Sequence, residues 1–260
     1  MSGTTWVEVS TGALERNYRA VAAHAGVPVC AVVKANAYGH GLVEAARVFE
    51  RAGARWLAVT RTEEARALRG AGIGSRILVL TPPPTPGTLG EAIRLGCSLA
   101  LGAPEDVERF AAAAEAAGKP ATVHLKVDTG MGRLGVNTAD APAVAARIAG
   151  HAGLVLEGVY THFADAAGPS GAAALKRFQD VRASLGKHAA RTMVHASNSA
   201  ALLALADARF DLVRVGTLLY GQDPPGAQAP FPLEETFVWR ARVVAVREVP
   251  AGATIGYGGE

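Results

Sequence analysis

Lys34 closes the apolar run Cys30-Ala31-Val32-Val33 and is followed by Ala35-Asn36-Ala37-Tyr38-Gly39-His40-Gly41. An ammonium group buried at such a place without a partner is costly, and the group tends to give up its proton instead. Two readings follow: the side chain snorkels to the edge of the core, or it is a nucleophilic amine of the Schiff-base type. The glycines suit a tight turn and the Tyr38 phenol a hydrogen bond, and because the lysine precedes the glycines the segment is not a P-loop. A second stretch, Val213-Arg214-Val215-Gly216-Thr217-Leu218-Leu219-Tyr220, places Gly216 and Thr217 directly after an apolar run. It is either an ordinary strand-to-helix turn or a loop whose backbone N–H groups grip a phosphate. A Schiff-base lysine and a phosphate grip on one face point together to pyridoxal phosphate.

A third stretch runs Leu125-Lys126-Val127-Asp128-Thr129-Gly130-Met131-Gly132-Arg133-Leu134-Gly135, with two cations close in sequence. Lys126 and Arg133 are either solvated charges or a pair in which Lys126, carbamylated by carbon dioxide, becomes an anion facing Arg133. His162, within Tyr160-Thr161-His162-Phe163-Ala164, fits a core histidine as well as a site residue.

The elements that must position these residues alternate between short Val/Ile/Leu runs and Ala-rich segments of helical period, the pattern of a parallel sheet covered by helices. Eight runs are present: 29–33, 56–59, 77–80, 98–101, 122–127, 154–160, 193–196 and 212–215. Eight strands close a (β/α)8 TIM-type barrel, and 260 residues suit one barrel of about 250. Lys34, Lys126, Arg133, His162, Asn198, Ser199 and Arg214 then fall within or just after strands, mostly toward the end where such barrels carry their chemistry. Thr60 with Glu63 has capping-box spacing. Pro104, Glu105 and Asp106 open a helix that Gly118 ends. Residues 223–232 are rich in Pro and Gly and read as a linker. Phe237, Trp239, Ala241, Val243 and Ala245 then alternate as a strand. The expected division is a barrel over 1–230 and the incomplete start of a β-rich C-terminal domain over 231–260.

The formal charge of +3 is scattered rather than patched, which argues against a nucleic-acid partner. Cys30 and Cys97 lack metal or redox spacing and read as buried thiols. The N-terminus carries no export signal, and no apolar stretch approaches the roughly 20 residues of a membrane span. A cytoplasmic protein is expected.

Taken together, residues 31–41, 125–135, 160–164, 195–201 with Asn198 and Ser199, 214–220 and Gly256-Tyr257-Gly258 resemble the alanine racemase family, in family order over almost the whole chain. The resemblance implies a cytoplasmic homodimer interconverting L- and D-alanine through a pyridoxal-phosphate aldimine on Lys34, supplying D-alanine for peptidoglycan. It assigns Tyr38, Ser199, Gly216 and Thr217 to the phosphate and Arg133 to the phenolic oxygen. It makes Lys126 the carbamylated residue orienting Arg133, and it sets Arg214 against the pyridine nitrogen, held by His162, with Asn198 in the neighbouring polar network. Tyr257 is implied as the second base, reaching the partner subunit's site, since racemisation removes a proton on one face of Cα and returns it on the other. Arg214 there limits delocalisation into the ring and so suppresses transamination.

The sequence ends at Glu260, so the resemblance also implies an absent remainder of the β domain, weak turnover, and an orphan strand with an unpaired edge. A metal-dependent hydrolase on the same barrel, with His124, His162 and His195 as ligands, is the competing class, although no His-x-His pair ends the first strand. A non-catalytic pyridoxal-phosphate carrier would leave Tyr257, Lys126 and Arg133 without work. A related decarboxylase would be expected to place an acid where Arg214 stands.

Overall fold

The computed structural model describes residues 3–186, 188 and 192–259. Met1, Ser2 and Glu260, which begin and end the two expected domains, lie outside the described residues. The chain divides into two compact units, one over Ser10–Thr236 and a small one joining 3–9 to 237–259.

In the large unit the eight expected runs are the eight strands of a parallel barrel: β2 (Val29–Val32), β3 (Trp56–Val59), β4 (Arg76–Val79), β5 (Ser98–Leu101), β6 (Ala121–Asp128), β8 (Leu154–Tyr160), β9 (Met193–His195) and β10 (Val213–Val215). They pair in the order β10-β2-β3-β4-β5-β6-β8-β9, with β7 (Val136–Asn137) as a short addition on β6. A single parallel bridge between His195 and Leu212 joins the two ends, so the barrel is nearly closed. β2, β3 and β5 are buried at every residue. This explains why they read as continuous apolar runs rather than as alternating ones.

Helix α1 (Thr11–Ala25) precedes β2, and α2 (Leu42–Arg51), α3 (Thr62–Gly70), α4 (Pro86–Arg94), α5 (Asp106–Ala117), α6 (Ala141–Gly150), α7 (Ser170–Ser184) and α8 (Ser199–Ala204) follow the strands in turn. α1 starts where the Ser10 hydroxyl accepts from Ala13 N–H at 3.2 Å, and it stops at Gly26 with φ 66°. α5 runs between Glu105 and Gly118 as its flanking residues predict. The capping acid of α3 is Glu64 rather than Glu63. Its Oε2 accepts from the backbone N–H groups of Thr60 and Arg61 at 2.9 and 3.1 Å. The helix begins one residue later than the Thr60 spacing implies, so the reach-back falls to the next carboxylate.

In the small unit, β1 (Thr5–Val9) pairs antiparallel with β11 (Phe237–Ala241), with Thr5 opposite Ala241 and Val9 opposite Phe237. The strand expected over 237–245 therefore ends at Ala241, and it is not an orphan. Glu8 ties the two strands across the ladder, accepting from Arg240 Nε at 2.8 Å.

Candidate functional site

Lys34 leaves β2 into a turn in which Ala35, Asn36, Ala37 and Tyr38 have φ between 53° and 55°, a left-handed helical turn built without glycine. Each such residue costs about 1–2 kcal/mol, and runs of this kind persist only where surrounding contacts over-determine them. The contacts are present. Ala37 N–H donates to Val33 O at 2.9 Å, Leu42 N–H to Asn36 Oδ1 at 2.8 Å, and Ala35 N–H to Glu64 Oε1 at 2.7 Å. Beneath the turn, Tyr220 donates to Val32 O at 2.9 Å and packs its ring 4.8 Å from that of Tyr38.

The turn opens on a cavity of about 530 Å³ lined by Lys34, Tyr38, Lys126, Arg133, His162, Asn198, Ser199, Arg214, Gly216 and Thr217. Ten of the residues singled out in the sequence thus meet at one place. The eleventh, Tyr257, belongs to the small unit, where it is fully exposed between Gly256 and Gly258.

Gly216 sits where a side chain has no room, because a Cβ there would lie 2.4 Å from Tyr38 Oη. Its N–H donates to Ser199 Oγ at 3.3 Å, so Tyr38, Ser199 and Gly216 form one small polar cradle. Asn198 caps α8, its Oδ1 accepting from Ala201 N–H at 2.9 Å. The loop carrying Arg133 is fixed by Asp128, whose carboxylate accepts from the N–H groups of Gly130, Met131 and Gly132 at 2.8–2.9 Å.

Lys126 is buried and has no hydrogen-bond or ion-pair partner among the described residues; its amine lies 5.8 Å from the centre of the Tyr160 ring. Burial, reinforced by Arg133 and Arg214, pulls its pKa down to about 8. His162 is pushed down to about 3 by burial first and then by Arg214, Lys126, Arg133 and Lys34. It is therefore a neutral ring at pH 7.

Arg214 is buried and stacked 4.9 Å over the Tyr160 ring. It is held by His195, not by His162. Its guanidinium donates to His195 Nδ1 at 2.7 Å and to the carbonyls of Thr161 and Ala196 at 2.7 and 3.0 Å. The reason is the nearly closed barrel, which brings the ends of β9 and β10 together. His195 and His124 hydrogen-bond to each other at 2.7 Å, and His124 Nε2 lies 2.9 Å from Glu157. With every ring nitrogen engaged, neither histidine is free to ligate a metal, and the described residues hold no cluster of metal-ligand type. The sequence reading missed Glu64, Glu157 and the role of His195. For Glu157 and His195 the available signal was a polar residue inside an otherwise apolar barrel strand.

A family model for the alanine racemase N-terminal domain matches residues 9–224. An alanine racemase of Syntrophobacter fumaroxidans is 38% identical over 98% of this chain and 69% of its own length. The crystal structure of the alanine racemase from D-cycloserine-producing Streptomyces lavendulae superposes with a TM-score of 0.92 at 37% identity, over 100% of this chain and 70% of that one. The alanine racemase of Bacillus anthracis, solved with bound L-Ala-P, gives 0.88 at 32% identity over 99% and 69%.

Proposed function

The chain belongs to the alanine racemase family, and from that premise we propose a pyridoxal-phosphate site built around Lys34. The activity is that of the family, an isomerase reaction interconverting L- and D-alanine. The observation that carries the cofactor reading is the charge of the cavity. Lys34, Lys126, Arg133 and Arg214 converge on it, and Asp165 is the one acid among its lining residues. Such a surplus of cations favours an anionic occupant, and the cradle kept open by Gly216 suits a phosphate.

Lys34 would hold the cofactor through Nζ, while Tyr38, Ser199, Gly216 and Thr217 would hold its phosphate. Arg133 would take the phenolic oxygen and Arg214 the ring nitrogen, with neutral His162 and Asn198 completing the wall. When bound, pyridoxal phosphate supplies an electron sink for the charge left on Cα after proton loss. Lys34 Nζ would carry the proton on one face of Cα. The Tyr257 hydroxyl would serve the other face in a homodimer, from the partner's chain. Arg214, a guanidinium that only donates hydrogen bonds, would require the ring nitrogen facing it to accept and so would leave that nitrogen unprotonated. Lys126, with its lowered pKa, presents the neutral amine that reaction with carbon dioxide requires; the resulting carbamate would pair with Arg133.

The described residues contain no helix long and apolar enough to cross a membrane. We place the enzyme in the cytoplasm, making D-alanine for the cell wall. The test is exchange of the alanine Cα proton with deuterated solvent in the presence of pyridoxal phosphate, read by mass spectrometry alongside D-alanine formation. Lys34→Ala is expected to abolish both, and Tyr257→Phe to lower racemisation equally in both directions while the Cα proton of one enantiomer still exchanges at Lys34. Exchange that survives Lys34→Ala contradicts the assignment.

A further inference from the structure

Arg214 is a buried cation with no carboxylate in contact among the described residues, flanked by Lys126 and Arg133 at the same cavity. A buried charge of this kind needs compensation from somewhere. The compensation is found along the hydrogen bonds leading away from the cavity. A guanidinium only donates, so His195 Nδ1, 2.7 Å from Arg214, must accept and carry no proton. Its proton is then on Nε2, which faces His124 Nδ1 at 2.7 Å. His124 Nδ1 must accept in turn, which leaves the His124 proton on Nε2, aimed at Glu157 Oε2 at 2.9 Å. Each step forces the next. Neither imidazole can take a second proton without turning an N–H against an N–H, and burial, the largest cause of the lowered pKa of both rings, acts the same way.

The far end is anchored as an anion. Glu157 accepts from Ser98 Oγ at 2.5 Å and from the Arg76 guanidinium, which itself lies 4.1 Å over the Trp56 ring. Both histidines are completely buried, and Gly158 makes the room, since a Cβ there would lie 2.4 Å from His124 Nδ1.

We propose that Glu157 is a positioning residue for Arg214, acting through a one-directional relay Arg214→His195→His124→Glu157 that fixes both imidazoles as neutral Nε2–H tautomers. Hydrogen bonds aligned head to tail polarise one another. The relay therefore lets the Glu157 anion polarise the His195 acceptor that Arg214 faces, without placing a carboxylate in the cavity, where it would compete for the other cations. The consequence for turnover rests on the reading that Arg214 faces the cofactor's ring nitrogen; the direction of the relay does not.

The test is ¹⁵N NMR of the whole chain labelled at histidine, with His124→Phe and His195→Phe used for assignment. Both residues are expected to show a pyridine-type Nδ1 and a protonated Nε2 without cofactor, with scalar coupling between His195 Nε2 and His124 Nδ1 across their hydrogen bond. An Nδ1–H tautomer or an imidazolium at either position overturns the proposal. Glu157→Gln keeps an acceptor oxygen but removes the charge, so the His195 Nε2 proton should move although His124 stands between it and the substitution. A Glu157 that merely braces Ser98 and Arg76 would leave that proton where it is. With cofactor loaded, Glu157→Gln is expected to lower kcat about tenfold, as for a weakened charge-assisted hydrogen bond. KM for alanine should stay unchanged, and a larger share of turnovers should end in transamination. Failure of Lys34 to hold the cofactor would sink the site reading and leave the NMR result to decide the relay. Normal cofactor binding with an unresponsive His195 would sink the relay alone.

Discussion

Replacing Gly216 with alanine places one methyl group against the Tyr38 phenol, with the new Cβ 2.4 Å from Oη and 2.9 Å from Cζ. With φ −118° and ψ −82° the Gly216 backbone is not in the left-handed region that favours glycine, and the obstacle is the contact with Tyr38. The phenol must therefore retreat by about 1 Å to reach ordinary contact. It cannot shift toward Tyr220, whose ring is already 4.8 Å away, but Tyr38 is 41% exposed and can swing outward. Swinging out abandons the cradle formed with Ser199. Overpacking of this kind costs about 1–3 kcal/mol. Charged to the bound state, that is about 5- to 150-fold weaker binding of pyridoxal phosphate. The assay is an absorbance titration of the apoprotein with the cofactor, paired with thermal unfolding of the same apoprotein. The expected result is a large loss of affinity with little change in apoprotein Tm. In a Tyr38→Phe background, which removes the closest atom, the further loss from Gly216→Ala should be smaller. Wild-type affinity in Gly216→Ala, or a collapse of Tm with affinity intact, would refute the reasoning.

Two further predictions follow from the same geometry. Lys126 has a folded pKa of about 8 against 10.5 as its ordinary value, so the unfolded chain binds the extra proton and stability falls as pH drops from 10.5 to 8. In buffer freed of carbon dioxide, Lys126→Met should raise apoprotein stability at pH 7 by about 1–3 kcal/mol, with the gain shrinking above pH 8; denaturant unfolding with and without bicarbonate measures it, and only wild type should respond to bicarbonate. Glu64→Ala removes the acceptor shared by α3 and Ala35 N–H, which should cost about 1–2 kcal/mol of stability and slow cofactor capture by Lys34 in stopped-flow absorbance.

The barrel was legible because its strands are buried on both faces and so announce themselves as unbroken apolar runs, and the site because strand ends in such a barrel converge. What escaped had other causes. β1 and β11 lie more than 200 residues apart in sequence, and β7 is two residues long. Nothing in a linear pattern pairs segments so distant or so short. The left-handed turn after Lys34 is made by Ala, Asn, Ala and Tyr, of which only Asn36 is of a type that visits that region readily. Gly39 and Gly41 report only its exit. The assignment of His162 to Arg214 failed for a related reason. Which histidine meets the guanidinium depends on the bridge between His195 and Leu212 that closes the barrel, a contact between chain segments rather than a motif. Glu157 sits at the middle of β8 and reads as an outward-facing polar residue until the register against β6 sets it beside His124.

The central claim is that the Lys34 amine, and no other, holds the cofactor. Reduction of the cofactor-saturated protein with borohydride, followed by proteolysis and mass spectrometry, puts that claim to a direct test. The account predicts a single phosphopyridoxyl group on the peptide bearing Lys34. A label on Lys126 instead, or no covalent label at any lysine, would contradict it.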